Sequence, residues 1–274
     1  MTVECFYSHI FYLEKKMKKI LCLIIVSAIL LTGCETAITT SRQVNPDKRK
    51  GWGFRRTPDG PEFTDEQISE METYDCIYRE NTNEKVIYLT FDEGYENGYT
   101  SLILDVLREK DVKAAFFVTA PYVKTNPDLI ERMSREGHII GNHTVNHPSL
   151  PSVTDSEAFC KELTELDRLI YGISKTHTKY LRPPKGEYSA NTLALSKKLG
   201  YTNVFWSDTY VDWNNDVSEK SAHDKVIAGL HTGEVLLLHA VSKGNADALS
   251  GIIDTAREKG YIFKSLDSYK SDTH

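Results

Sequence analysis

From Lys85 onward the chain alternates between short apolar runs and stretches whose apolar residues recur at helical spacing. Val86-Ile87-Tyr88-Leu89-Thr90-Phe91 is the first run, and Leu102, Ile103, Val106 and Leu107 follow on one helical face. Residues 114–118, 138–141, 179–182, 202–206, 235–239 and 261–263 read as six further strands. Helices are expected around Leu129, Ile130 and Met133, from a Thr154/Glu157 capping box through Ile170, over 192–199, through Ile227, and over 246–259. Strands this uniformly apolar imply an α/β fold, with a parallel sheet covered by helices. A closed barrel and a doubly wound open sheet fit the alternation equally.

The region before this alternation is different. Lys15, Lys16, Lys18 and Lys19 precede the apolar run 20–31, which is short for a bilayer span but suits a secretory signal, with Met17 the better start. The run ends in Leu31-Thr32-Gly33-Cys34, which resembles a bacterial lipobox with Cys34 as the lipidated residue. Residues 1–34 are therefore read as a signal segment, 35–84 as linker and N-terminal extension, and 85–270 as the main β/α domain. Within the extension, 35–59 is polar and turn-rich, and Thr64 with Gln67 forms a capping box for a short helix. Cys76 and Cys160 remain in an exported chain, where a disulfide is permitted. A net charge of -6 and a pI near 5.9 argue against a nucleic-acid partner. Contact with the membrane is expected through the lipid anchor only.

The chemically capable residues collect where expected strands end. Asp92 and Glu93 follow the first strand, and His143 and His147 follow the third. Arg182 ends the fourth; Asp208, Asp212 and Trp213 follow the fifth; His239 ends the sixth. Both β/α topologies build their sites at the C-terminal ends of strands. His143 and His147, four residues apart, would share one face of a helical turn and reach one cation. Asp92 and Glu93 point to opposite sides if the strand continues through them, so one could bind metal while the other acts as base.

Five segments, in order, resemble the motifs of the polysaccharide deacetylases (carbohydrate esterase family 4, the NodB homology domain). They are Thr90-Phe91-Asp92-Glu93-Gly94, His143-Thr144-Val145-Asn146-His147, Arg182-Pro183-Pro184-Lys185-Gly186, Asp212-Trp213 and Leu237-Leu238-His239. Longer strings around the first, second and fifth look like the sporulation branch, the delta-lactam-biosynthetic de-N-acetylases. The resemblance implies a distorted (β/α)7 barrel and metal-dependent removal of the acetyl group from N-acetylmuramic acid in peptide-stripped peptidoglycan, leading to muramic delta-lactam in spore cortex. It assigns the divalent metal, zinc first, to His143 and His147 with Glu93. Asp92 becomes the base, oriented by Arg182, and His239 the acid, held by Asp212. The backbone N–H of Lys185 meets the oxyanion, while Trp213 and Leu237 wall the acetyl slot.

Glu93 stands where most of the family has a metal-binding Asp, and Lys185 where many carry an aromatic. Tyr95, Tyr99 and Tyr188 are candidates for the wall of a glycan groove, and Lys243 and Asn245 for contact with the lactyl carboxylate. The partners implied are peptidoglycan glycan strands. Alternatives are a deacetylase of peptidoglycan N-acetylglucosamine or of chitooligosaccharides, and a glycan-binding lipoprotein without turnover.

Overall fold

The computed structural model describes residues 48–213 and 217–270. The signal segment and Cys34 lie outside the described residues. Strand β4 (Val86–Glu93) is central and buried along its whole length. It pairs in parallel with β10 (Glu234–His239) on one edge. On the other edge it pairs with β5 (Ala115–Val118) at its C-terminal half and with β11 (Ile262–Phe263) at its start. The order continues through β6 (Ile139–Asn142), β7 (Tyr180–Leu181) and β9 (Thr202–Asn203), every pair parallel. All seven expected strands are present. Among the described residues the ring closes through single bridges, Asp208 with Leu236 midway along β10, and Ile77 with Val204 and Arg79 with Glu234 below. The sheet is thus a curled, incompletely closed barrel rather than an open doubly wound sheet.

Residue parity along β4 sorts the side chains. Ile87, Leu89 and Phe91 face outward into a core shared with α2 (Thr100–Glu109), α4 (Pro127–Arg135) and α8 (Lys243–Glu258). Val86 and Tyr88 face inward with Ala115, Phe117, Tyr180, Val204 and Val235. Each large side chain buried in these layers contributes about 1.5–3 kcal/mol. α8 starts at Lys243 rather than at Ala246, because Ser242 accepts a bond from the Asn245 N–H and caps it. Helix α5 (Ser156–Ser174) is capped by Asp155 and not by Thr154. Asp and Thr are both good caps, and sequence alone did not separate these neighbours.

The extension is more built than its composition suggested. β1 (Lys50–Gly51) pairs antiparallel with β8 (Glu187–Tyr188), and β2 (Arg55–Thr57) forms a hairpin with β3 (Gly60–Glu62). Trp52 is buried, stacks on Phe63 and donates from its indole N–H to the Trp206 carbonyl at 2.8 Å. Helix α1 (Asp65–Thr73) carries the expected Thr64/Gln67 capping box. Cys76 is a free, buried thiol, so it is not bridged to Cys160.

Candidate active site

The inward parity of β4 and β10 delivers Asp92 and His239 to the top of the barrel, where they are Cα register partners. Side chains of such partners emerge from the same sheet face about 5 Å apart. Each has its own buried partner. Arg182, with no exposed surface, donates to Asp92 Oδ1 at 2.8 Å and also to the carbonyls of Val204 and Phe205. Its guanidinium lies 4.2 Å from the Phe117 ring centroid. That ring lies across β6 at Gly141, where even a methyl group would collide with it. Burial works against an Asp92 carboxylate, but Arg182, His143 and His239 together outweigh it and hold its pKa below the ordinary value.

His239 donates from Nδ1 to Asp212 Oδ1 at 2.7 Å, and its backbone N–H donates to Oδ2 at 2.7 Å. Burial disfavours the imidazolium, yet the Asp212 carboxylate raises the His239 pKa above its usual value. The ring is therefore held as a proton donor with Nε2 toward the cleft.

His143 and His147 lie beside this pair, with ring centroids 4.8 Å apart. They do not sit on a helical turn. The 143–149 segment is a loop in which Thr144 and His147 both have positive φ, 69° and 55°. Asn142 Oδ1 accepts from the Thr144 N–H, Thr144 Oγ1 accepts from the His147 N–H, and Glu162 accepts from both nitrogens of Asn146. These bonds hold the loop in shape. His143 Nδ1 donates to the Arg182 carbonyl at 2.8 Å, leaving Nε2 toward Asp92 Oδ2, 3.6 Å away. Burial pushes the His143 pKa down to about 4 and lowers that of His147, so both present neutral imidazoles. Neutral rings, one oriented by a carbonyl behind it, are the form in which histidine binds a divalent ion.

Glu93 does not join them. The parity that turns Asp92 inward turns Glu93 outward, toward Tyr122 and Glu96 in the helical layer. It is fully buried with both oxygens unpartnered, and burial, with Glu96 and Asp92, raises its pKa well above the ordinary carboxylate value. Among the described residues no group of three His, Cys, Asp or Glu is placed to share one ion. The site fits an ion held by the two histidines and completed by other oxygens, without Glu93.

The cleft has two lobes that share Asp92, His143, His147, Trp213 and His239. One, of about 430 Å³, is walled by Tyr95, Pro121, Val145 and Val241. The other, of about 800 Å³, runs past Leu237, Lys185 and Trp206 to Trp52, Phe54 and Arg56 of the extension. Trp213 is half exposed, with its ring edge-on to His239 at 5.3 Å between centroids. Lys185 is exposed and left-handed, with φ 60°.

Four candidate residues are placed elsewhere. Tyr188 is buried against Phe205 and donates to Glu70 at 3.3 Å, because β8 pairs with β1 and turns the ring under the extension. Lys243 pairs with Asp247, and Asn245 is buried behind Asp212. Asp208 lies below the rim, buried and paired with Arg56. The sequence reading missed Tyr210 and the extension residues Trp52, Phe54 and Arg56. The aromatic, Gly-rich 51–54 string was the signal available for the latter group.

The fold and site together define a polysaccharide deacetylase, and the sequence profile of that family matches residues 79–204; the chain belongs to this family. It is similar to the peptidoglycan-N-acetylmuramic acid deacetylase PdaA of Bacillus subtilis, at 44% identity over 254 residues, covering 91% of this chain and 95% of that protein. The solved structure of that family 4 carbohydrate esterase superposes with a TM-score of 0.79, covering 81% of this chain and 97% of the other at 45% identity. A peptidoglycan-N-acetylglucosamine deacetylase of Bacillus cereus is 31% identical over 82% of this chain and 78% of its own length.

Proposed function

We propose that this protein hydrolyses the N-acetyl group of N-acetylmuramic acid in peptide-stripped peptidoglycan, the step that precedes muramic delta-lactam in spore cortex. The observation that carries the reaction is the pairing of Asp92–Arg182 with His239–Asp212 across one parallel register, beside two neutral histidines. The likeness to the muramic acid deacetylase of Bacillus subtilis over nearly the whole chain supports the choice of sugar. His143 and His147 would hold a divalent ion, zinc first, which when bound polarises the acetyl carbonyl and acidifies water.

Asp92, ionised and fixed by Arg182, takes a proton from the attacking water. The backbone N–H of Lys185 meets the oxyanion. His239 gives its Nε2 proton to the sugar nitrogen as the C–N bond breaks, so that nitrogen leaves as an amine. Leu237 and Trp213 exclude water around the acetyl methyl.

An exported enzyme tethered by lipidated Cys34 would meet this substrate outside the membrane. Among the described residues no helix is long and apolar enough to cross a bilayer. Amidase-stripped glycan is incubated with the purified protein and zinc, then analysed by mass spectrometry. Loss of one acetyl per muramic acid is the expected result. Loss from glucosamine alone would transfer the reading to that sugar, and no loss with any divalent ion would end it.

A further inference from the structure

We infer that Asn245 is a positioning residue for the proton donor, with Tyr210 fixing its amide; this rests on the deacetylase reading above. Asp212 is fully buried, and among the described residues no cationic side chain pairs with it except His239 itself. Three N–H groups hold its carboxylate: His239 Nδ1, the His239 backbone and Asn245 Nδ2, the last at 2.6 Å. The second Asn245 amide proton goes to the His239 carbonyl at 3.0 Å. The Tyr210 hydroxyl donates to Asn245 Oδ1, so the amide has one satisfied orientation and no reason to flip.

Burial, with the Asp212 charge nearby, keeps the Tyr210 phenol protonated and therefore a donor. Asn245 is only 1% exposed, at the start of α8. That helix can come this close because position 244 is glycine; a methyl group there would strike the Val217 carbonyl. Tyr210 also lines the large lobe of the cleft, so the chain runs from the cleft wall through Tyr210, Asn245 and Asp212 to His239. Neither Tyr210 nor Asn245 touches the reacting atoms. Their effect is to keep Oδ1 of Asp212 aimed at Nδ1, and hence the proton at Nε2.

A donor matters only when the leaving group needs a proton. In amide cleavage the C–N electron pair must be protonated as it departs. In cleavage of an aryl acetate the C–O pair leaves as a stable phenolate without a proton. Asn245→Leu and Tyr210→Phe are therefore compared on N-acetylated glycan and on an aryl acetate ester. For Asn245→Leu we expect a loss of roughly 10–100-fold in kcat on the amide, by analogy with groups that orient a metal-bound histidine, and about threefold at most on the ester. Tyr210→Phe should show the same asymmetry at about 3–10-fold.

Equal losses on both substrates would overturn the inference and make the two residues structural. Wild-type protein inactive on both would instead overturn the deacetylase reading. Nitrogen-15 NMR of the His239 ring is independent of turnover. At a pH above its folded pKa, where the ring has lost the Nε2 proton, the remaining proton is expected mainly on Nδ1 in wild type but mixed in Asn245→Leu, and an unchanged tautomer would refute the role.

Discussion

Asp92 and His239 are direct partners across the β4–β10 register, so the base and the acid are fixed to one another by backbone hydrogen bonds rather than by loops. Asp92→Asn and His239→Asn should each lower kcat about 10²–10⁴-fold with KM little changed, and the double variant should lose less than the product. Steady-state kinetics on peptide-free glycan checks this.

The two shifts also predict a pH profile. Activity needs Asp92 ionised, and its pKa is held low; it needs His239 protonated, and its pKa is raised. The alkaline limb of kcat/KM should lie above 6.5 and move down in Asp212→Asn, which loses the charge that raises His239. The His239–Asp212 pair stabilises the fold fully below the unfolded imidazole pKa, and that contribution fades as pH rises through the folded value. An alkaline limb that stays in place in Asp212→Asn would contradict this assignment.

Gly141, Phe117, Arg182 and Asp92 form one packed column. Gly141→Ala should cost about 1–3 kcal/mol of stability by overpacking and reduce activity through Arg182. Arg182→Met should cost about 3–5 kcal/mol, because Asp92 is left buried and unpaired. Urea unfolding measures both.

Glu93 binds its proton more tightly folded than unfolded. Its contribution must therefore make stability fall as pH rises above the unfolded carboxylate value, until the folded pKa is passed. Glu93→Leu should remove that slope and raise stability at pH 7 by about 1–3 kcal/mol, with zinc affinity nearly unchanged. His143→Ala should abolish zinc binding. Melting curves between pH 5 and 8 and zinc titrations decide the matter, and a large loss of zinc affinity in Glu93→Leu would return Glu93 to the ligand set.

Trp213, expected to wall the acetyl slot, and Tyr188, a candidate for the wall of a glycan groove, sit in opposite environments, one half exposed beside His239 and one buried under the extension. Trp213→Ala should raise KM on glycan about tenfold, as expected for the loss of one stacked or packed sugar contact worth about 1.4 kcal/mol. Tyr188→Phe should leave KM unchanged and cost about 1 kcal/mol of stability.

The sheet was legible because its long strands, β4 and β10, are apolar on both faces and end in polar residues, and because β5, β6 and β7 lie in equally apolar runs followed by polar ones. Asp92, Arg182 and His239 were legible for the same reason. What sequence could not supply was that the strand runs on through Glu93; the alternation then puts it on the side away from Asp92, and the resemblance alone had grouped it with the metal ligands. Nor does a four-residue histidine spacing reveal a loop with two left-handed residues, since Thr144 is β-branched and histidine, though enriched at positive φ, adopts it in only a small minority of cases. Trp52 and Tyr188 bury each other's surroundings across about 130 residues of chain, a long-range relation that local patterning does not carry.

The two lobes meet at the reacting residues from opposite arcs of the barrel rim, one built on the loops after β4, β5 and β6 and the other on β7, β9 and the extension. A glycan strand that filled both would have sugars on either side of the one being modified, and the enzyme would then not depend on a chain end. Fragments too short to fill both arms should be turned over poorly however good their acetyl group.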